Sequence, residues 1–128
     1  MLGRFKIYMR QKRPAHDPLP DGVRLRAQYR DKHCTSPSED MVTKYLDSPS
    51  EKAWLDYEQK YLEILEARFR ENHQPFEELA ELSRKQDVYL GCTCPTKKNP
   101  NVWHCHTVLA LKFMKEKYPD LVVVFPAS

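Results

Sequence analysis

Val88-Tyr89-Leu90-Gly91-Cys92 runs directly into Thr93-Cys94-Pro95, and the chain then reaches His104-Cys105-His106. An apolar stretch of this length ahead of a loop broken by Pro95 and Pro100 reads as a buried strand. The run Val102 to Tyr118 beyond the loop carries Cys105, Val108, Leu109, Leu111, Phe113 and Met114, with Asn101 as its N-cap and Pro119 after its end, which predicts a helix. A strand, a loop and a helix in this order form a unit of a parallel α/β fold. In such sheets ligands sit beyond the carboxyl ends of the strands, where the next helix presents unpaired N–H groups. The cysteines and histidines stand at that point of the chain.

Upstream, Phe5, Ile7 and Met9 alternate with Arg4, Lys6, Tyr8 and Arg10, the period of a strand over residues 4–10 with one buried face. Three prolines and an Asp-Gly step make 14–22 a loop, and alternation resumes from Val23 to Arg30 as a second strand. Ser-Pro-Ser-Glu occurs at 36–39 and again at 48–51. Each copy satisfies a helix-start rule with Ser36 or Ser48 as N-cap, proline at the first helical position and glutamate after it. The first helix ends near Leu46. The second carries Trp54, Tyr57, Tyr61, Ile64 and Leu65 at helical spacing to about Arg70, an aromatic stripe that reads as core. Residues 75–84 predict a third helix, and Leu121-Val122-Val123-Val124-Phe125 an inner strand buried on both faces. The order predicts an α/β fold: a single compact three-layer domain over residues 1–128 with a mainly parallel sheet.

A chain of 128 residues buries roughly two thirds of its unfolded surface without needing disulfide staples. No apolar run approaches the roughly 20 residues that a bilayer demands, so no membrane partner is expected. Without an apolar signal core at the start, the cysteines point to a reducing, cytoplasmic compartment. The net charge of +3 is segregated: +6 over residues 1–34, −6 over 35–90 and +3 over 91–128. If the basic ends meet they offer a surface for phosphate-bearing ligands or nucleic acid; otherwise they only solvate strands and loops. Oligomeric state is not legible in the sequence.

The chemistry concentrates between 92 and 106. A helix N-terminus lowers a thiol pKa, so Cys94 or Cys105 is a candidate nucleophile, with His106 or His104 as proton-transfer group. Cys92 is a candidate ligand-binding residue, and Lys97, Lys98 and Arg24 are candidate anion contacts. Zinc is the competing use of Cys92, Cys94, Cys105 and either His104 or His106. Against it, a single residue separates Cys92 from Cys94 where common zinc knuckles have two to four, and helical steps of about 100° would splay 104, 105 and 106. Plain burial of small cysteines is the third reading. With only Gly3, Gly22 and Gly91, the chain has no Gly-rich phosphate loop of the P-loop or dinucleotide-binding kind.

Several segments also carry a family resemblance. Asp21-Gly22-Val23-Arg24-Leu25, the stretch Trp54 to Leu65, Glu78-Leu79-Ala80-Glu81-Leu82, Val88-Tyr89-Leu90 and His106-Thr107-Val108-Leu109 follow in the order seen in the YeaO-like branch of the domain-of-unknown-function 488 family. Leu90-Gly91-Cys92-Thr93-Cys94-Pro95 with Cys105-His106 is also similar to the Cys-x-Cys and Cys-His segment of that family's other branches and of the related domain-of-unknown-function 4326 proteins. The resemblance implies a three-layer α/β fold and a site at the Cys-His end of the last strand–helix unit, with His106 as the family's recurring histidine; it implies no particular reaction. The chain departs from the family at Ala27-Gln28-Tyr29-Arg30-Asp31-Lys32, where an Arg-Leu-Trp-Pro-Arg-Gly run is usual, and at Thr107, where an arginine often follows Cys-His. These readings converge on a small domain that binds, and acts on, a nucleotide or nucleic-acid component at a Cys/His crevice. The alternative is a non-enzymatic zinc-stabilised or nucleic-acid-binding module.

Overall fold

A computed structural model describes residues 1–127. The elements are β1 (Leu2–Lys6), β2 (Val23–Arg26), a 3-10 turn (Tyr29–Asp31), α1 (Glu39–Asp47), α2 (Glu51–Glu71), α3 (Gln74–Lys85), β3 (Val88–Cys92) and α4 (His106–Lys117). The strands form a parallel sheet in the order β1-β3-β2, with Leu2 opposite Val88 on one side of β3 and Val23 opposite Val88 on the other. The α/β class and the parallel sheet agree with the sequence.

The layers stack as sheet, then α4, then α2 with α1 beside it, as the pairwise packing of α4 on β1 and β3 and of α2 on α4 shows. Being enclosed from both sides, α4 is buried nearly all round, including Val108, Leu109, Leu111, Phe113 and Met114. Full burial is worth roughly 1.5–3 kcal/mol for each such side chain, so packing rather than helix propensity holds α4. Tyr61 of α2 is fully buried and donates to the Thr35 carbonyl, which pins the segment after β2 under that helix. No helix of the described residues is long and apolar enough to cross a membrane.

Several boundaries differ from the sequence reading. Ser38 and Ser50, not Ser36 and Ser48, cap α1 and α2, accepting from Met41 N at 3.4 Å and Ala53 N at 3.0 Å. Ser36 is unavailable because its hydroxyl accepts from His33 N, and capping at Ser38 places Glu39 and Asp40 in the first turn, where the helix dipole favours them. The first strand stops at Lys6, before the left-handed Arg10 (φ 59°), and the second stops at Arg26, before the 3-10 turn. The inner strand expected at 121–125 is instead a single bridge, Val123 to Leu2, at the β1 edge. Val122 and Val124 are 65% and 53% exposed, so this segment is buried on one side only.

Gly22 has φ 135°, and a Cβ there would stand 2.6 Å from the Asp87 carbonyl oxygen, a backbone atom that cannot step aside. A Cβ on Gly3 would make an ordinary contact at 3.4 Å with the Tyr89 ring. Gly22→Ala is expected to lower the unfolding free energy by about 2 kcal/mol in urea titration, while Gly3→Ala costs less than about 1 kcal/mol. Equal losses would mean that the β2 entry is not under this constraint.

Candidate functional site

The site forms where β3 ends and α4 begins. β3 stops at Cys92, and Cys94 lies two residues further on, the spacing at which an extended chain presents both side chains on one face. Asn101 does not cap α4. Its side chain accepts from Trp103 N and its carbonyl from His104 N, closing a local turn, and α4 starts only at His106 with Cys105 as N-cap. His104 and Cys105 therefore lie outside the helix, and the helical splay expected for 104–106 does not arise. The sulfurs of Cys92, Cys94 and Cys105 all lie within 4.8 Å of one another.

His106 completes the group. It is 4% exposed, and its Nε2 lies 2.6 Å from the Ala27 carbonyl oxygen. A carbonyl only accepts, so Nε2 carries the hydrogen and donates it. The other ring nitrogen, Nδ1, faces the sulfurs of Cys92 and Cys105, at 3.9 and 4.0 Å. Tyr61 packs edge-on against the same ring. His104 is elsewhere: stacked on Trp54 at 4.7 Å, with Nδ1 by the Tyr45 hydroxyl and Nε2 3.9 Å from Glu51.

Two cations of β1 hold the cysteine loop. Arg4 donates through Nε to the Thr107 hydroxyl (2.8 Å) and through Nη2 to the Cys94 carbonyl (2.7 Å); Lys6 donates to the Pro95 carbonyl (2.6 Å). The Thr107 hydroxyl, which accepts from Arg4, also shares a hydrogen bond with the Cys105 sulfur at 3.1 Å. The Asn99 amide donates to the Cys94 sulfur and to the His104 carbonyl. Among the thiols, a hydrogen bond from Cys92 and then one from Cys94 hold Cys105 well below the ordinary thiol range, with His106 adding to them. Giving its hydrogen bond to Cys105 pushes Cys92 up to about 12, and Cys94 rises for the same reason. The group gives up its first proton at Cys105.

A crevice of about 240 Å³ opens over this group, lined by all three cysteines, His104, His106, Asn99, Tyr45, Tyr29, Gln28 and Arg30. Larger hollows lie between α1 and α2, about 410 Å³, and beside Arg68, about 610 Å³, but the cysteine cluster lines neither of them. Of the expected anion contacts, Lys97 and Lys98 are exposed and outside the crevice lining, and Arg24 points from the other face of the sheet. The cation at the crevice is Arg30, just past the end of β2. Arg4, Asn99 and Ala27 escaped the sequence reading; Arg4 looked like the solvent side of an alternating strand, and a backbone carbonyl leaves no trace in a side-chain pattern.

The family described as the active DUF488-N3 subclade (DUF488-N3a) matches residues 16–118, from the loop before β2 to the end of α4. No curated protein and no solved structure matches the chain.

His106→Ala is expected to cost about 2 kcal/mol or more, because it strands the buried Ala27 carbonyl and opens a cavity beside Tyr61. His104→Ala removes one half-exposed stacking contact and should cost about 1 kcal/mol. Denaturant titration of the two variants gives the order; the reverse order would refute the anchoring role of His106. Cys34 gives a pH test of the packing. Burial pushes its thiol from about 9 up to about 11, so the fold favours its neutral form. That contribution is fully present below pH 9 and is lost as pH rises from about 9 to about 11, where the unfolded thiol ionises first. Cys34→Ala should show a shallower alkaline fall in denaturation midpoint than the parent, and identical curves would exclude the linkage.

Proposed function

The chain belongs to the DUF488 family, in its active DUF488-N3 subclade, and from that premise we propose that Cys92, Cys94, Cys105 and His106 hold a zinc ion beside a crevice for a small phosphate-bearing ligand. The carrying observation is the mutual approach of three sulfurs within 4.8 Å, with His106 Nδ1 facing two of them. Zinc bonds of about 2.3 Å to sulfur and 2.0–2.1 Å to nitrogen place tetrahedral ligands roughly 3.6–3.8 Å apart, so shifts below about 1 Å bring these four together. The bond from His106 Nε2 to the Ala27 carbonyl is the outer partner that metal-bound histidines ordinarily have. Four protein ligands close the coordination sphere, the structural kind of zinc site. On this reading His106, Cys94 and Cys105 act as ligands rather than as base and nucleophile, and of the two histidines that the sequence offered as the fourth ligand, His106 fills the place.

The ligand reading rests on the crevice itself. Arg30 stands at its mouth over the Tyr29 ring, and no side chain caps the N-terminus of α4 at its base. At about 240 Å³ it falls below the roughly 300–1,000 Å³ of drug-sized pockets, which suits a phosphosugar or a mononucleotide and not a duplex. The subclade's description as active supports a ligand that is turned over.

Cobalt(II) titrated into chelator-treated protein should bind as a single ion per chain, with thiolate-to-cobalt charge-transfer absorption that zinc abolishes. His106→Ala should weaken that binding by at least roughly tenfold and His104→Ala should leave it unchanged. The metal-free chain should still unfold cooperatively, at a lower Tm, since its core does not depend on the loop. Zinc-loaded protein should be stabilised further by inorganic phosphate or mononucleotides, and less so after Arg30→Ala. Absence of cobalt binding would overturn the metal site and return Cys105 to the role of nucleophile.

A further inference from the structure

Each strand of the sheet has a second face, turned away from α4. Leu2, Val88, Leu90, Leu25 and Val123 contribute to the helix-covered core, but Phe5, Tyr89, Val122 and Val124 do not. Register sets these outer residues in two rows: Gly3, Tyr89 and Arg24 in one, Phe5, Gly91 and Arg26 in the next. The Tyr89 ring lies over Gly3, whose Cβ would come within 3.4 Å of it. The Phe5 ring lies over Gly91, whose Cβ would come within 2.7 Å. Both glycines thus leave room for an aromatic ring along the sheet, each ring partly exposed, with Ile7 sharing the cover of Gly91. The bland account is that each ring covers a glycine and nothing more. That account leaves unexplained why the row ends are exposed arginines and why Val122 and Val124 remain uncovered at the other edge.

We infer that this outer face is a platform for single-stranded nucleic acid, with bases stacking on Tyr89 and Phe5 and Arg24 and Arg26 meeting the phosphates. Aromatic rings accept the face of any base, and guanidinium groups at the row ends complement a phosphate chain running along β2. Arg24 spends one contact on the Pro20 carbonyl and keeps most of its donors, while Arg26 turns Nε to Asp31 and Nη2 to Gln28 and Met9 and keeps Nη1. Asp21 and Asp87 stand at the strand starts and Asp31 beyond the end of β2, so a phosphate chain has its place between them, along Arg24 and Arg26. This site is separate from the zinc site and crevice and does not rest on them.

Fluorescence anisotropy of a labelled oligothymidylate of roughly a dozen nucleotides with the full chain tests it. Binding should weaken linearly on a log–log plot as salt rises, with Arg24→Glu plus Arg26→Glu reducing affinity at least roughly tenfold. Tyr89→Leu keeps an apolar cover on Gly3 and should also weaken binding about tenfold while leaving the Tm within a few degrees. Inorganic polyphosphate, which has no bases, should bind less tightly and be indifferent to Tyr89→Leu. No binding at low salt, equal affinity for polyphosphate, or a dimer in sedimentation that the double arginine variant dissociates would each overturn the platform, the last in favour of a second copy of the chain.

Discussion

The bond from His106 Nε2 to the Ala27 carbonyl is the constraint around which the site is arranged. Ala27 is the first residue after β2 and His106 the first of α4, so one short contact registers the helix start against the strand end. The same contact commits a hydrogen at Nε2, so Nδ1 is the nitrogen left free to meet a metal, and the backbone aims it at two sulfurs. Tyr61 holds the ring from the side of α2 and is itself anchored to Thr35. A helix enclosed between a sheet and a second helix has no freedom to rotate that ring away, which is why burial of α4 and the geometry of the cluster are one fact.

The proposed zinc site would account for the hold of β1 on the cysteine loop. Three thiolates and a neutral imidazole around a zinc ion would leave a net charge of −1, and a buried negative group needs compensation. Arg4 and Lys6 supply it without ion pairing, spending their hydrogen bonds on carbonyls of the loop and on Thr107. The family's frequent arginine after Cys-His is absent here, yet a guanidinium still reaches position 107, from a different strand.

The regular parts of the fold were legible because each rests on local chemistry. Hydrophobic spacing marked α2 and α3, and the apolar run at 88–92 marked β3 and hence the place of the site. Helix starts misled by two residues because Ser-Pro-Ser-Glu offers two serines, and at the first copy a local bond from His33 N occupies the Ser36 hydroxyl. The run at 121–125 has the composition of an inner strand, but its position at the sheet edge follows from chain order and from the space left beside β1, neither of which is written in five residues. Cys92, Cys94, Cys105 and His106 were all named from sequence. What spacing concealed was that they meet, since the argument against zinc rested on the single residue between Cys92 and Cys94 and on a helix through His104.

The stretch that carries the site also carries the opposite surface. Along β3 the inward residues Val88, Leu90 and Cys92 serve the core and the cluster, while Tyr89 and Gly91 serve the outer rows. Alternation forces this division, and a slip of one residue would exchange the two sets and destroy both. β1 repeats it, with Arg4 on the cysteine loop and Phe5 over Gly91. Because the two faces share backbone but no side chain, selection can alter either without touching the contacts of the other, and only the strand register must be kept for both.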